Sequence, residues 1–171
     1  MAVARLLGVL DRRDRGLFER WALRPGGPAL PRRAWTALTW AGSAAVTILA
    51  VLVPWGLAPS SRPAATVAAI SLAASHLIVQ ALKRSVGRAR PDRPSVIAHP
   101  DRFSFPSGHA TAVLAVALSY APPEPVVALP LVAFALLVGW SRVVLGVHYP
   151  GDVAAGQVIA TLTVGVVRFL S

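Results

Sequence analysis

The chain has 171 residues and a net charge of +10, is 55% hydrophobic and only 14% charged, and has a mean hydropathy of +0.60. An ordinary soluble domain carries about 25% charged residues, so this composition describes one membrane domain and not a soluble one. The absence of cysteine excludes disulfides, zinc–thiolate sites and thiol catalysis, and nucleic acid is not an expected partner, because the basic residues flank apolar runs without interleaved aromatics or zinc-ligand spacing.

Residues 1–24 are predicted to form an amphipathic helix. Val3, Leu6, Leu7, Leu10, Leu17 and Trp21 recur at helical spacing, with Arg12, Arg13, Arg15 and Arg20 on other faces. A basic amphipathic helix of this kind suits the surface of an anionic bilayer. Asp11-Arg12-Arg13-Asp14 interrupts the apolar run, which argues against a signal peptide. Pro25-Gly26-Gly27-Pro28 breaks the helix, so residues 1–34 are expected to form an interfacial helix and linker, and residues 35–171 a transmembrane domain.

Five apolar segments follow: Trp35–Leu57, Pro63–Leu82, Ser107–Ala121, Pro125–Trp140 and Asp152–Leu170. The first, second and fifth approach the ~20 residues that a spanning helix needs, while the third and fourth are shorter. The predicted fold class is therefore all-α: a bundle of about five transmembrane helices behind an N-terminal interfacial helix. Trp35, Trp40, Trp55 and Trp140 stand near segment ends and read as interfacial anchors. His76 is expected as an interhelical hydrogen-bonding or core histidine, and His99 as a solvated or headgroup-contacting loop residue. Five spans put fifteen basic residues on one face and only Arg62 and Arg168 on the other. The positive-inside rule places the rich face in the cytoplasm.

Three clusters carry the chemistry. The first, Lys83-Arg84-Ser85-Val86-Gly87-Arg88-Ala89-Arg90-Pro91, holds the chain's only lysine. Lys83 and Arg90 are seven apart and share a face if the helix continues; they could grip non-bridging phosphate oxygens, or simply flank a span. In the second, Pro106-Ser107-Gly108-His109, Ser107 is placed to cap a helix start, which is an anion site, and Gly108 lets a ligand approach the backbone. His109 there could protonate a leaving oxygen, and the same tetrapeptide reads equally as an ordinary capped helix with a surface histidine.

The third cluster is the most specific. Ser141-Arg142 follows the fourth segment, and His148 and Asp152 come after it, four apart, around Tyr149-Pro150-Gly151. A carboxylate that accepts from one imidazole nitrogen leaves the other free to attack. An unpaired Asp152 at the start of an apolar span would be costly, which favours a functional partner over a plain helix cap. Outside the first helix the acids are Asp92, Asp101, Glu124 and Asp152, with Glu124 on the opposite face, so no two-metal carboxylate site is expected.

Lys, six residues, Arg-Pro; Pro-Ser-Gly-His; Ser-Arg, five residues, His, three residues, Asp: this pattern resembles the type 2 phosphatidic acid phosphatase superfamily, which also includes vanadium haloperoxidases. The match covers residues 63–170. The resemblance implies that His148 is a nucleophile forming a phosphohistidine, that Asp152 orients it, and that His109 protonates the leaving group and later helps activate water. It implies that Lys83, Arg90 and Arg142 clamp the phosphate, with Ser107 and Gly108 adding hydrogen bonds. No cofactor and no metal are implied.

The expected function is hydrolysis of a phosphomonoester or terminal diphosphate on a membrane lipid, by an enzyme of unknown oligomeric state. Small size, five spans and Arg-rich composition also resemble the actinobacterial phosphatases of polyprenyl-phosphoribose phosphate. Three alternatives stand beside it: a polyprenyl diphosphate phosphatase recycling a carrier lipid, which a cytoplasmic site disfavours; a vanadium-dependent oxidase, although those relatives are soluble and larger; and a catalytically silent membrane binding protein, against which the complete motifs argue.

Overall fold

The computed structural model of the chain describes residues 2–24, 26–92, 94–97 and 101–171, with the side chains of residues 2–10 outside the description, as is His99 with its expected loop role. The described residues form seven α-helices: α1 (Ala2–Trp21), α2 (Ala29–Trp40), α3 (Ala44–Leu57), α4 (Arg62–Val86), α5 (Gly108–Tyr120), α6 (Pro125–Val144) and α7 (Pro150–Leu170). Extended pairing among them is limited to one isolated bridge, between Ala89 and Phe103.

The centre of the bundle is α5. Its 13 residues reach only about 20 Å at the helical rise, against a hydrocarbon core of about 30 Å. Ala110, Thr111, Val113, Leu114, Ala115, Val116, Ala117 and Ser119 are all buried, as expected of a helix that is apolar all round. α4, α6 and α7 surround it. One layer joins Val113, Leu114 and Ala117 to Ala135, Val138, Ala160 and Val164; another joins Val116 to Val51 and Ala68. Close approach depends on Gly156 of α7, where an added Cβ would lie 2.7 Å from both Ser107 O and Thr111 Oγ1. Small residues at such crossings are the rule for helices packed in lipid.

The outer surface is apolar. Leu52, Leu77, Leu129, Leu162 and Phe169 are all more than half exposed, a belt that water would not tolerate. Among the described residues three helical stretches are long and apolar enough to cross a membrane: Pro59–Val86, Pro125–Val144 and Pro150–Leu170. The expected first span is instead a helix pair, α2 and α3, bent by 44°. The break falls at Gly42 and Ser43: Gly42 sits against Val138 and His109, and Ser43 caps α3 by accepting from the Val46 N–H. Counting that pair as one span gives four candidates, and α5 is too short to be a fifth by length.

α1 rests on the corner between α6 and α7. Phe18, which the expected apolar stripe omitted, is the buried residue at 2% exposure and meets the Tyr149 ring edge-on at 5.3 Å. Trp21 packs edge-on against Trp140, and the Leu23 N–H donates to Val144 O at 2.8 Å.

Candidate active site

The eight expected site residues converge where α4, α6 and the 101–107 segment end and α5 and α7 begin. Two of their backbone settings differ from expectation. α4 stops at Val86, because Gly87 takes a left-handed φ of 61° and its N–H caps Lys83 O. Lys83 and Arg90 therefore do not share a helix face; Arg90 follows on an extended segment held by Ser104, whose N–H donates to Arg88 O and whose hydroxyl donates to Ala89 O. α6 runs on to Val144, so Arg142 lies in its last turn and not in the loop after it.

Lys83 is buried, and its Nζ donates to Asp101 Oδ2 at 2.8 Å and Phe103 O at 3.2 Å. Arg90 Nε donates to Asp101 O, its Nη1 donates to Val147 O at 2.6 Å, and the same nitrogen lies 3.3 Å from His148 Nε2. Arg142, 4% exposed, donates from Nη1 to Thr39 Oγ1 at 2.9 Å, while its Nε has no partner among the described residues. These three cations approach one region from three elements. Burial opposes ionisation of Asp101, but the hydrogen bond and charge of Lys83, with the charge of Arg90, hold its carboxyl below the usual carboxylate range.

Ser107 stands at the N-cap position of α5, yet its hydroxyl makes no cap hydrogen bond. The hydroxyl is fully buried and unpartnered, while the Ser107 N–H donates to Asp152 O at 2.9 Å. Expected as a cap, the serine instead presents a free donor beside an open helix start, a combination suited to an anion. Gly108 and His109 form the first turn, and both line a cavity of about 610 Å³ that runs between α3, α4 and α5.

His148 is 2% exposed, and its backbone N–H donates to Arg142 O. Its Nδ1 faces Asp152 Oδ2 at 3.6 Å and has no hydrogen-bond partner among the described residues. Burial, with the charges of Arg90 and Arg142, pushes the imidazole pKa down to about 4, outweighing the opposing pull of Asp152. A ring shifted in this way is neutral near pH 7. Asp152 is fully buried and pinned from two sides: Arg88 Nη1 donates to Oδ1 at 2.7 Å and the Tyr149 N–H to Oδ2 at 2.9 Å.

Sequence reasoning missed several members of this assembly. Arg88 lies within the first cluster but carried no role. Asp101 was counted only among acids. Thr39, Asp11 and Asp14 reach the site across 103, 77 and 137 residues of chain, and no local spacing flags them. His76 is also corrected. It is exposed on α4, lines the same cavity as Lys83 and His109 and has only Gln80 nearby, at 3.5 Å; a groove-facing position, one helix face below Lys83, replaces the expected place between packed helices. Among the described residues no group of three or more His, Cys, Asp or Glu is placed to hold a metal ion.

A helical bundle that gathers three cations, an open helix start and two histidines beside an apolar groove defines a membrane enzyme for phosphate esters. The chain belongs to the PAP2 superfamily, whose model matches residues 64–170. It is 40% identical over 127 residues to a decaprenylphosphoryl-5-phosphoribose phosphatase of Mycobacterium tuberculosis, covering 70% of this chain and 67% of that one. It is 40% identical over 91 residues to a lipid A 1-phosphatase of Rhizobium etli, covering 48% of this chain and 39% of that one. The fold is shared with a transmembrane PAP2-type phosphatidylglycerolphosphate phosphatase from Bacillus subtilis, with a TM-score of 0.76 at 22% identity, covering 95% of this chain and 86% of that one. The chain is accordingly a lipid phosphate hydrolase.

Proposed function

We propose that the protein removes the terminal phosphate of a membrane lipid through a phosphohistidine on His148, without a metal ion. The observation that carries this reading is the setting of His148, with Nε2 facing Arg90 at 3.3 Å and Nδ1 facing Asp152 at 3.6 Å, in a cluster whose Lys83 and His109 line the apolar groove. Nε2 attacks phosphorus while Asp152 steadies the charge that forms on the ring. Lys83, Arg90 and Arg142 neutralise the phosphoryl oxygens, and the Ser107 hydroxyl and the Gly108 backbone donate to them. As the bond between phosphorus and the lipid oxygen breaks, His109 passes a proton to that oxygen. His109 then takes a proton from water, water attacks phosphorus, and the N–P bond breaks to release inorganic phosphate and restore neutral His148.

The groove of about 610 Å³, with walls including Val51, Leu72, Ala73 and Val79, holds the lipid chain. A polyprenyl-phosphoribose phosphate of the kind named for the mycobacterial relative is the first substrate to try. We place residues 1–34 at the bilayer surface and residues 35–171 within it, as a five-helix membrane domain in which the bent pair α2–α3 is the first helix and α5 is sheltered by its neighbours. The excess of arginine on the catalytic side supports a cytoplasmic site.

The test is phosphate release by the detergent-purified protein in EDTA, with polyprenyl-phosphoribose phosphate, phosphatidylglycerophosphate, phosphatidate and polyprenyl diphosphate compared. Turnover is expected with at least one, trapping of acid-labile phosphoprotein is expected during it, and His148→Ala is expected to abolish both. Undiminished release by His148→Ala would remove His148 from the nucleophile's role.

A further inference from the structure

We propose that α1 is a positioning element of the catalytic centre, in which Asp11 and Asp14 hold the Arg88 guanidinium and Arg88 in turn holds Asp152, the partner of His148. This rests on the phosphohistidine reading above. It gives the first helix a task beyond contact with the bilayer surface.

The connections are direct. Arg88 Nη1 lies 2.7 Å from Asp152 Oδ1 and 2.7 Å from Asp14 Oδ2, and its Nη2 lies 2.9 Å from Asp11 Oδ1. The guanidinium sits over the Tyr149 ring, 4.2 Å from its centroid. Phe18 of α1 braces that ring from its edge. Asp14 has a second grip: its Oδ1 accepts from the Gly151 N–H at 2.7 Å, one residue before Asp152. Gly151 is suited to this, since a Cβ there would lie 2.9 Å from Asp14 Oδ2. α1 thus reaches Asp152 twice, through Arg88 to its carboxylate and through the backbone N–H of the preceding residue, Gly151.

The geometry leaves little slack. Both Asp152 oxygens are already held, by Arg88 and by the Tyr149 N–H. The 3.6 Å to His148 Nδ1 is a few tenths of an ångström beyond a good N–H···O bond. A small displacement of Asp152 decides whether that bond closes. Arginine suits the hub because its rigid fork serves three carboxylates at fixed angles, which a lysine ammonium cannot do. The anchoring of α1 is separable from this clamp, because Phe18 and the Leu23–Val144 hydrogen bond do not involve Asp11 or Asp14.

The experiment compares the full-length wild type with Asp11→Asn/Asp14→Asn and Arg88→Lys, in detergent, by steady-state kinetics and by NMR of the histidine ring nitrogens, with His148 assigned by His148→Ala. Partners that orient a metal-ligating histidine are worth about 10- to 100-fold in metal affinity or activity, and an effect of that order is expected where a carboxylate orients an attacking histidine. The expected result is a fall of about tenfold or more in kcat, KM within about twofold, and shifted His148 nitrogen signals in both variants. Arg88→Lys is expected to add little in the Asp11→Asn/Asp14→Asn background, because the three residues act as a unit. A lowered Tm with unchanged kcat and unchanged His148 signals overturns the proposal, as does a change in KM alone. If the double variant does not fold, Asp11→Asn decides by the same two readouts, since that side chain is 41% exposed. If the wild type hydrolyses no lipid phosphate, the phosphatase reading fails by itself, and the NMR comparison still settles whether α1 positions His148.

Discussion

Arg142 and Thr39 are joined by a hydrogen bond of 2.9 Å that ties the last turn of α6 to the end of α2. Both residues are buried, and Thr39 is the one side-chain hydrogen-bond partner of Arg142 among the described residues. A hydrogen bond to a charged group is worth about 1.5–3 kcal/mol, and about 1.4 kcal/mol is tenfold in rate. Thr39→Val is therefore expected to lower kcat/KM by about tenfold or more, while Thr39→Ser, which keeps the hydroxyl, stays near wild type. Steady-state kinetics on the two variants checks this.

The depressed pKa of His148 fixes the acid side of the pH profile. With a value of about 4, the ring carries a proton only below that pH and is neutral above it. Because kcat/KM reports the free enzyme, its acid limb from His148 is expected near pH 4, and not near the ordinary 6.5. Stability follows the same sign. Between these two values the unfolded chain binds the proton that the folded chain refuses, so folding weakens as pH falls through that window. Thermal melts of the wild type and His148→Gln should diverge there, the wild type losing more.

Gly156 and Gly165 are one helix apart in consequence, though both lie on α7. A Cβ at Gly156 would strike Ser107 O and Thr111 Oγ1 at 2.7 Å, whereas nothing lies within 4 Å of one at Gly165. Gly156→Ala is expected to cost about 1–3 kcal/mol through overpacking and to disturb the helix start beneath Ser107. Gly165→Ala should be neutral or slightly stabilising. Melting temperature and phosphate release, measured together, separate the two.

Ala73 lines the groove on α4. Ala73→Trp fills it, and is expected to reduce hydrolysis of a long-chain lipid phosphate at least tenfold, while a short water-soluble phosphomonoester is cleaved as by the wild type. Equal loss on both substrates would show that the chain does not use this groove.

Sidedness is open to a single label, because the chain has no cysteine of its own. His99→Cys is expected to resist impermeant maleimide in whole cells and to react once the membrane is opened.

The grouping of the candidate site was legible in the sequence because its residues sit in three short runs, but only the spacing of four between His148 and Asp152 pointed to chemistry by itself, and the seven between Lys83 and Arg90 suggested a shared helix face that the turn at Gly87 removes. The all-helical membrane bundle followed from long apolar segments. Legibility ended where contacts are long-range or where a local signal is weak. Gly42-Ser43 bends the first apolar segment, yet glycine and serine are common enough in lipid-packed helices to pass unnoticed there. Asp11 and Asp14 looked like the polar face of an amphipathic helix until folding brought Arg88 between them and Asp152. Ser107 has the residue type of a cap and the position of a cap, and only the geometry reveals that its hydroxyl is left free.

The groove behind His109 has a kinetic consequence. A substrate held by its chain between α3 and α4 is presented by lateral diffusion within a leaflet, so the concentration that governs turnover is a mole fraction in two dimensions. Diluting the lipid phosphate with inert lipid at constant total amount should slow the enzyme, whereas adding more vesicles of fixed composition should not hasten it beyond saturation of the surface. On the proposed reading the two products also part company on leaving: phosphate is expected to depart into water from the cationic end and the dephosphorylated lipid to slip sideways into the bilayer, so neither need wait for the other.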